Sequence, residues 1–208
     1  MRIVPDVRTT SEEFLRLPLE VHGFLRDVPL HDVSAIDFPG GWPDASLADV
    51  RALATEKSLL SAGPLVRLLF GLRFFLGKVL RWDPREAGPD PASTSYVHRV
   101  SPEISQRSLV PPGTRDGQFR FVYALGNEAL SEIVNATVHA FLCRALVPID
   151  GGYRLYWAVY VKPISRWTGP YMAFIEPFRR YIIYPRLLGH LRHAWIRSAE
   201  GPREPRSK

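Results

Sequence analysis

The sequence predicts an α+β domain in which an antiparallel β-sheet packs against a long, kinked C-terminal helix, with short helices near the N-terminus. Four runs rich in apolar and β-branched residues follow one another between residues 119 and 164, as expected for consecutive antiparallel strands. Apolar residues then recur every three or four positions from Trp167 to Trp195, the spacing of one helix face. Pro177 and Pro185 interrupt this helix and predict a kink.

The first half of the chain carries shorter and less regular patterns. Residues 14–19 predict a short strand or turn, and residues 35–38 predict a brief strand that ends at a Pro-Gly-Gly sequence. Ser46 lies three residues before Asp49, an arrangement that resembles a capping box, and apolar residues follow at helical spacing. A helix is therefore predicted to begin next to Ser46.

A second helix is predicted from Leu65 to about Trp82, after Pro64, which suits a first helical turn. It is apolar nearly all round, as in helices that are buried or lie against a membrane. Arg67 and Lys78 interrupt it, and central charges cost several kcal/mol within a bilayer, so no membrane-spanning segment is expected. Two interpretations stay open: the helix covers one end of the sheet, or its basic side lies on anionic lipid.

The clearest patterns lie in the second half of the chain. Residues 83–117 are rich in Pro, Gly, Asp and Ser and predict long loops with one short strand near residues 96–100. The four strands that follow are predicted at residues 119–125, 129–134, 137–147 and 153–164. An Asp-Gly-Gly sequence at residues 150–152 joins the last two and favours a type I′ hairpin turn.

The hairpin decides which side chains of its two strands share a face. A two-residue turn places even-numbered residues of the first strand beside odd-numbered residues of the second. The more apolar of the two faces is predicted to turn inward, and it carries Val138, Ala140, Leu142, Leu146, Leu155, Trp157, Val159 and Val161.

Arg144 is the exception on this face, where it lies near Trp157. A charge among apolar side chains is costly unless it is paired. Arg144 is therefore a candidate anchor for a ligand carboxylate or phosphate. The alternative is a structural arginine that stacks on Trp157 or pairs with an acid such as Glu132.

The C-terminal helix supplies three more candidate ligand contacts. Tyr171 and Phe174 belong to its apolar stripe, and Glu176 follows them next to Pro177. Glu176 is either a water-facing residue at the helix bend or a carboxylate at the mouth of a cavity. Together with Arg144 and Trp157, these residues form the predicted ligand-binding set.

The order of elements is that of the helix-grip layout, and one segment carries a closer resemblance. The C-terminal helix contains GPYMAFIEPFRRYII at residues 169–183. This segment resembles the end of an uncharacterised bacterial family of the START-like superfamily (polyketide cyclase and lipid transport, SRPBCC). Residues 64–73 resemble the short apolar helix ahead of the sheet in that family. The resemblance covers mostly residues 60–82 and 117–195.

The resemblance implies a curved antiparallel sheet wrapped around the long helix, with an apolar cavity between them. It implies binding or transport of a hydrophobic small molecule or lipid in that cavity. Two alternatives stay open, because one fold hosts many functions. One is an enzyme of the cyclase or hydrolase type that uses Arg144, Glu176 or His139 to polarise a carbonyl group. The other is a membrane-surface or protein-interaction module led by the helix at residues 65–82.

Composition and charge limit the remaining classes. Apolar residues make up 46% of the 208 residues, enough for a packed core. One domain is expected over residues 1–198, followed by a disordered basic tail at residues 199–208. The single cysteine, Cys143, excludes an internal disulfide, and the expected location is cytoplasmic.

The formal net charge of +6 favours anionic partners. Peripheral contact with an anionic membrane is one hypothesis that follows from it. Nucleic acid is not an expected partner, because no recognised motif accompanies the charge. No cofactor and no metal ion are expected, since the sequence has neither a nucleotide-binding motif nor a zinc-type ligand spacing.

Overall fold

The computed structural model describes residues 11–53, 94–134, 138–166 and 168–200. Three predictions lie outside these ranges: the helix at residues 65–82, the start of the last helix at Trp167, and the tail beyond residue 200.

Short helices, the strands of one sheet and a long helical segment follow one another in the described chain. In chain order they are α1 (Ser11–Leu15), α2 (Glu20–Phe24), β1 (Leu30–Pro39), α3 (Leu47–Leu53), a 3-10 helix (Tyr96–Arg99), α4 (Pro102–Arg107), β2 (Arg115–Asp116), β3 (Phe119–Ala124), β4 (Glu128–Val134), β5 (Val138–Ile149), β6 (Gly152–Pro163), α5 (Thr168–Phe178), a π-helical turn (Arg179–Ile183) and α6 (Tyr184–Glu200).

The six strands form one antiparallel sheet in the order β1-β6-β5-β4-β3-β2. The last four strands pair as consecutive hairpins, and β1 joins the sheet at its far edge beside β6. Helices α5 and α6 pack against this sheet with a kink between them, and short helices precede it. The predicted α+β, helix-grip-like architecture is confirmed.

The β5–β6 hairpin has the predicted register. Ile149 pairs with Gly152, which leaves a two-residue turn, and Gly151 in that turn has a φ of 76°. A type I′ turn requires a positive φ at both central residues, and Asp150 does not have one. The prediction of a type I′ turn is therefore wrong. Position 152 requires glycine, because the backbone of β1 lies close to it: an added Cβ would be 2.1 Å from the carbonyl oxygen of Phe38.

Both faces of the sheet are covered. The predicted inward face packs on the C-terminal helix, and we call it the helix-side face; its core includes Leu142, Leu155, Val159, Leu188 and Trp195. The opposite face packs under α1, α2 and the 3-10 helix, and we call it the N-terminal face; its core includes Phe14, Val21, Phe141, Cys143 and Tyr156. The sequence predicted only the first of these two cores.

The kink of the C-terminal helix lies where the prolines predict it. The π-helical turn at residues 179–183 begins two residues after Pro177 and ends two residues before Pro185. A proline has no backbone N–H and crowds the carbonyl four residues earlier, so two prolines eight residues apart disrupt the hydrogen-bond ladder between them. The wider π turn is the local outcome.

One predicted strand is helical instead. The strand expected near residues 96–100 is the 3-10 helix, because the Ser95 hydroxyl accepts a hydrogen bond from the N–H of Val97 and starts a helical turn. Residues 14–19, expected as a strand or turn, contain the end of α1 and then the turn that follows it. Helix α4, within the predicted loop, begins at the N-cap Ser101 followed by Pro102.

Candidate functional site

Arg144 lies near the centre of the sheet, on β5, within the helix-side face. Its Nη2 atom donates hydrogen bonds to Asp116 Oδ2 and Ser131 Oγ, each 2.8 Å long. The guanidinium carbon lies 5.3 Å from the centre of the Phe121 ring, within the range of a cation–π contact. Trp157 is the direct cross-strand partner of Arg144, as the predicted register requires.

The acid that pairs with Arg144 is Asp116, not Glu132. Asp116 lies on the two-residue edge strand β2 and reaches Arg144 across the helix-side face. Glu132 pairs across the ladder with Phe141, which places the Glu132 side chain on the N-terminal face. The alternative in which Arg144 pairs with an acid is present in the structure, but the acid is Asp116 and not Glu132.

One nitrogen of the Arg144 guanidinium has no hydrogen-bond partner among the residues that the structure describes. This nitrogen, Nε, is buried, although the side chain as a whole is 17% exposed. A buried donor on a charged group that lacks an acceptor carries a desolvation penalty of about 1–3 kcal/mol or more. An acceptor on a bound molecule at Nε would remove this penalty.

Short side chains flank Arg144 and Trp157 along the sheet. The cross-strand row that contains both residues consists of Ser34, Trp157, Arg144, Ala129 and Ala124. The two alanines and the serine add little bulk on either side, and Trp157 is only half-buried. The row therefore presents a charged and an aromatic group between small neighbours.

A second polar cluster lies at the kink of the C-terminal helix. Arg179 donates a 2.6 Å hydrogen bond from Nη2 to Asp32 Oδ2 and a 2.8 Å hydrogen bond from Nε to the hydroxyl of Tyr184. The other carboxylate oxygen of Asp32 is buried and has no hydrogen-bond partner within the described ranges. Burial raises the pKa of Asp32, and the negative charge of Glu176 adds to this, although Arg179 opposes it. Glu176 therefore belongs to the surroundings of Asp32.

The other two predicted contacts lie at different depths in the C-terminal helix. Tyr171 is half-buried and packs against the helix-side core. Phe174 is 44% exposed and contacts the ring of Phe178 at 5.7 Å between centroids. The structure brings Arg144 and Trp157 together, places Glu176 beside Asp32, and leaves Phe174 outside the packed core.

The N-terminal face holds a buried carboxylate that the sequence analysis missed. Glu128 is 2% exposed and accepts hydrogen bonds from the backbone N–H groups of Glu20 and Val21, each 2.8 Å long, and from the hydroxyl of Tyr123. Burial raises the pKa of Glu128, while the three donors favour its ionised form. The two N–H groups belong to the first turn of α2, so Glu128 caps that helix.

A second buried carboxylate on this face is Glu132. Its Oε2 atom lies 2.9 Å from His139 Nε2 and accepts a 2.9 Å hydrogen bond from the N–H of Tyr96, while Oε1 accepts from the hydroxyl of Ser95. Burial by itself would raise the pKa of Glu132, but these hydrogen bonds outweigh burial and lower it. His139 is thus held on the face opposite Arg144, and these two residues do not converge on one site.

Arg144, Asp32, Glu128 and Glu132 all lie within a stretch that matches a known family model. The family is described as a protein of unknown function (DUF2867), and its model matches residues 24–186. The chain belongs to the DUF2867 family. No curated protein and no solved structure matches the chain significantly.

The DUF2867 match contains all five residues of the predicted ligand-binding set. It spans the whole sheet, α5 and the π-helical turn, whereas α1 and most of α6 lie outside it. The family region therefore includes both the Arg144 site and the Asp32 cluster. None of the described helices in this DUF2867 chain has an apolar stretch long enough to span a bilayer.

Proposed function

We propose that this DUF2867 protein binds a hydrophobic small molecule at the helix-side face of its sheet. In this proposal, Arg144 holds a carbonyl, carboxylate or phosphate oxygen of the ligand. Trp157 and Tyr171 contact the apolar part of the ligand, and the C-terminal helix covers it. The kink near Glu176 and Phe174 forms the adjacent end of the site.

The observation that carries the proposal is the unpartnered Nε of Arg144. Asp116 and Ser131 both bind Nη2, so they hold the guanidinium in place without satisfying Nε. An arginine retained within an apolar face only for packing would be expected to have its buried donors satisfied. A donor that is fixed in position and lacks an acceptor is the arrangement that ligand sites use to orient a polar group.

The architecture supports the same proposal at a coarser level. A sheet packed against a long kinked helix resembles the START-like layout, whose members include lipid and steroid binders. Fold by itself does not give function, so this resemblance supports the ligand class and not the residue roles.

A fluorescent fatty acid tests the proposal. Titration of the purified full-length chain with 11-(dansylamino)undecanoic acid should give saturable binding with a blue-shifted emission. Arg144→Gln should weaken binding about 10-fold or more, because a hydrogen bond to a charged group contributes about 1.5–3 kcal/mol. Arg107→Gln is the matched control, since Arg107 forms an exposed ion pair with Glu20 on α2. Equal affinities of the Arg144→Gln variant and the wild type would refute the role of Arg144.

A second candidate function, contact with an anionic membrane surface, is favoured by one observation. Phe174 and Tyr181 are 44% and 72% exposed, and they lie seven residues apart on the C-terminal helix. Arg180 is exposed beside them, with its guanidinium carbon 5.8 Å from the Tyr181 ring centre. Exposed aromatic rings next to arginine suit the interface between lipid headgroups and acyl chains.

Vesicle flotation separates this candidate from the first. Vesicles of phosphatidylcholine and phosphatidylserine should carry the protein upward at low salt, and pure phosphatidylcholine vesicles should carry less of it. A Tyr181→Ser variant should float less than the wild type while it still binds the dansyl probe, because Tyr181 lies outside the proposed ligand site. Flotation of Tyr181→Ser equal to that of the wild type would exclude this surface.

A further inference from the structure

A cleft of about 360 Å³ opens at the corner of the sheet formed by β2, β3 and β4. The β3–β4 ladder ends at the pair Arg120–Glu132, whereas β4 continues to pair with β5 as far as Val134. The cleft lies where the two strands separate, and its lining includes Arg115, Gln118, Phe119, Arg120, Ile133 and Val134.

Two arginines face each other directly across the β2–β3 ladder at this cleft. Arg115 pairs with Arg120, so their Cβ atoms are about 5 Å apart, the usual distance for opposed residues in antiparallel strands. Like charges in this position destabilise a sheet. Both side chains are exposed, and neither forms an ion pair within the part of the chain that the structure describes.

The two acidic residues nearest to this pair are engaged elsewhere. Asp116, next to Arg115, reaches Arg144 on the opposite face of the sheet. Glu132, across the ladder from Arg120, is bound by His139 and by the 3-10 helix. Glu132 also lines the cleft, but among the described residues neither arginine has a carboxylate that pairs with it directly.

We propose that this cleft binds a small organic anion, whose carboxylate or phosphate group is held between the guanidinium groups of Arg115 and Arg120. Arginine presents a planar fork of donors that matches both oxyanions. Val134 lies on the same face as the two arginines and provides an apolar contact for the body of the ligand, while Phe119 and Ile133, which belong to the helix-side face, line the cleft where the strands separate. The volume lies within the range of small-molecule sites. A bound anion lies between the two guanidinium groups and attracts both, which offsets the repulsion between them.

The cleft is separate from the ligand site proposed above. Residues directly opposed in a sheet share a face, so Arg115 and Arg120 lie on the same face as Glu132, which is the N-terminal face. Arg144 lies on the helix-side face. If one of the two sites fails its test, the other can still be tested independently.

Thermal unfolding with three anions tests this inference. Phenyl phosphate at about ten times its Kd should raise the Tm of the full-length chain by about 2–4 °C, and inorganic phosphate should raise it less. Potassium chloride at the same ionic strength is the control for screening. An equal rise with chloride would mean that salt only screens the repulsion, and the anion site would be rejected.

Two variants add a second test, because each should keep or raise the unfolding temperature while it weakens anion binding. Arg115→Gln and Arg120→Gln should unfold at the same or a higher temperature than the wild type without anion, because repulsion is removed. Each should weaken phenyl phosphate binding about 10-fold in calorimetric titration. Arg107→Gln, which removes an exposed arginine outside both proposed sites, should bind phenyl phosphate as the wild type does. Unchanged phenyl phosphate affinity in both arginine variants would overturn the proposal.

Discussion

Glu128 and Glu132 lie four residues apart on β4, and each carboxylate caps the first turn of a different helix on the N-terminal face. Glu128 binds the N-terminal N–H groups of α2, and Glu132 binds the N–H of Tyr96 at the start of the 3-10 helix. Alternate residues of a strand share a face, so the spacing aims both carboxylates at the same layer. The N-terminal face is therefore held by buried, fully hydrogen-bonded acids as well as by apolar packing.

Removing either charge should destabilise the fold. Glu128→Gln and Glu132→Gln each replace a carboxylate oxygen by an NH₂ group that faces N–H or O–H donors, so donors are left without acceptors. We expect each substitution to lower the free energy of unfolding by about 2–4 kcal/mol, measured by urea denaturation. Glu12→Gln is the matched control, because the Glu12 side chain is 92% exposed. If the two variants lose no more free energy of unfolding than Glu12→Gln does, the two carboxylate caps do not contribute to stability.

Acidification should act through Glu132 in a defined pH range. Its pKa is lower in the folded chain than the ordinary value of 4.5, so the folded state favours the ionised carboxylate. This contribution to stability is present above pH 4.5 and is lost as the pH falls through the lower, folded-state pKa. Urea denaturation at several pH values should therefore show a shallower decline below pH 4.5 for Glu132→Gln than for the wild type. Parallel pH profiles of the two proteins would contradict this.

Substitutions of Asp32 and Arg179, the ion pair at the kink, should have strongly non-additive effects on the free energy of unfolding. Arg179→Gln leaves the carboxylate of Asp32 buried without a cation, and we expect a loss of about 3–5 kcal/mol near neutral pH. The double variant Asp32→Asn, Arg179→Gln should recover part of that loss, because no unpaired charge remains. Urea denaturation of all four proteins gives the coupling energy, and strictly additive losses would mean that the pair is not coupled.

The loss from Arg179→Gln should also shrink at low pH. Burial raises the pKa of Asp32, so the folded state favours the protonated carboxyl, and this contribution is lost as the pH rises through the folded-state pKa. Without Arg179, the pKa of Asp32 rises further, since the opposing charge is gone. A loss that is equally large at acid and neutral pH would argue against a buried, chargeable Asp32.

Local sequence patterns predicted the pairing of β5 with β6 and the position of the helix kink. The two-residue turn fixed the parity of β5 and β6, so the pairing of Arg144 with Trp157 follows from the sequence. Pro177 and Pro185 located the kink because proline has a direct effect on helical hydrogen bonds.

The contacts that sequence reasoning missed join distant segments through single hydrogen bonds. Asp116 and Arg144 are 28 residues apart, and Glu132 reaches Tyr96 over 36 residues, so no local pattern reports either contact. Helices α1 and α2 have five residues each, too few to show a helical period. Glu128 and Glu132, four residues apart and therefore on one face of a largely apolar strand, were the available indication that β4 is polar on its N-terminal face.

Native mass spectrometry of the purified chain tests most directly whether the unpartnered donor of Arg144 holds a ligand. We expect the wild type to carry a copurified hydrophobic molecule that solvent extraction releases, and Arg144→Gln to carry much less of it while Arg107→Gln keeps it. A wild-type chain that is free of any small molecule and also fails to bind the dansyl fatty acid would contradict the proposed function.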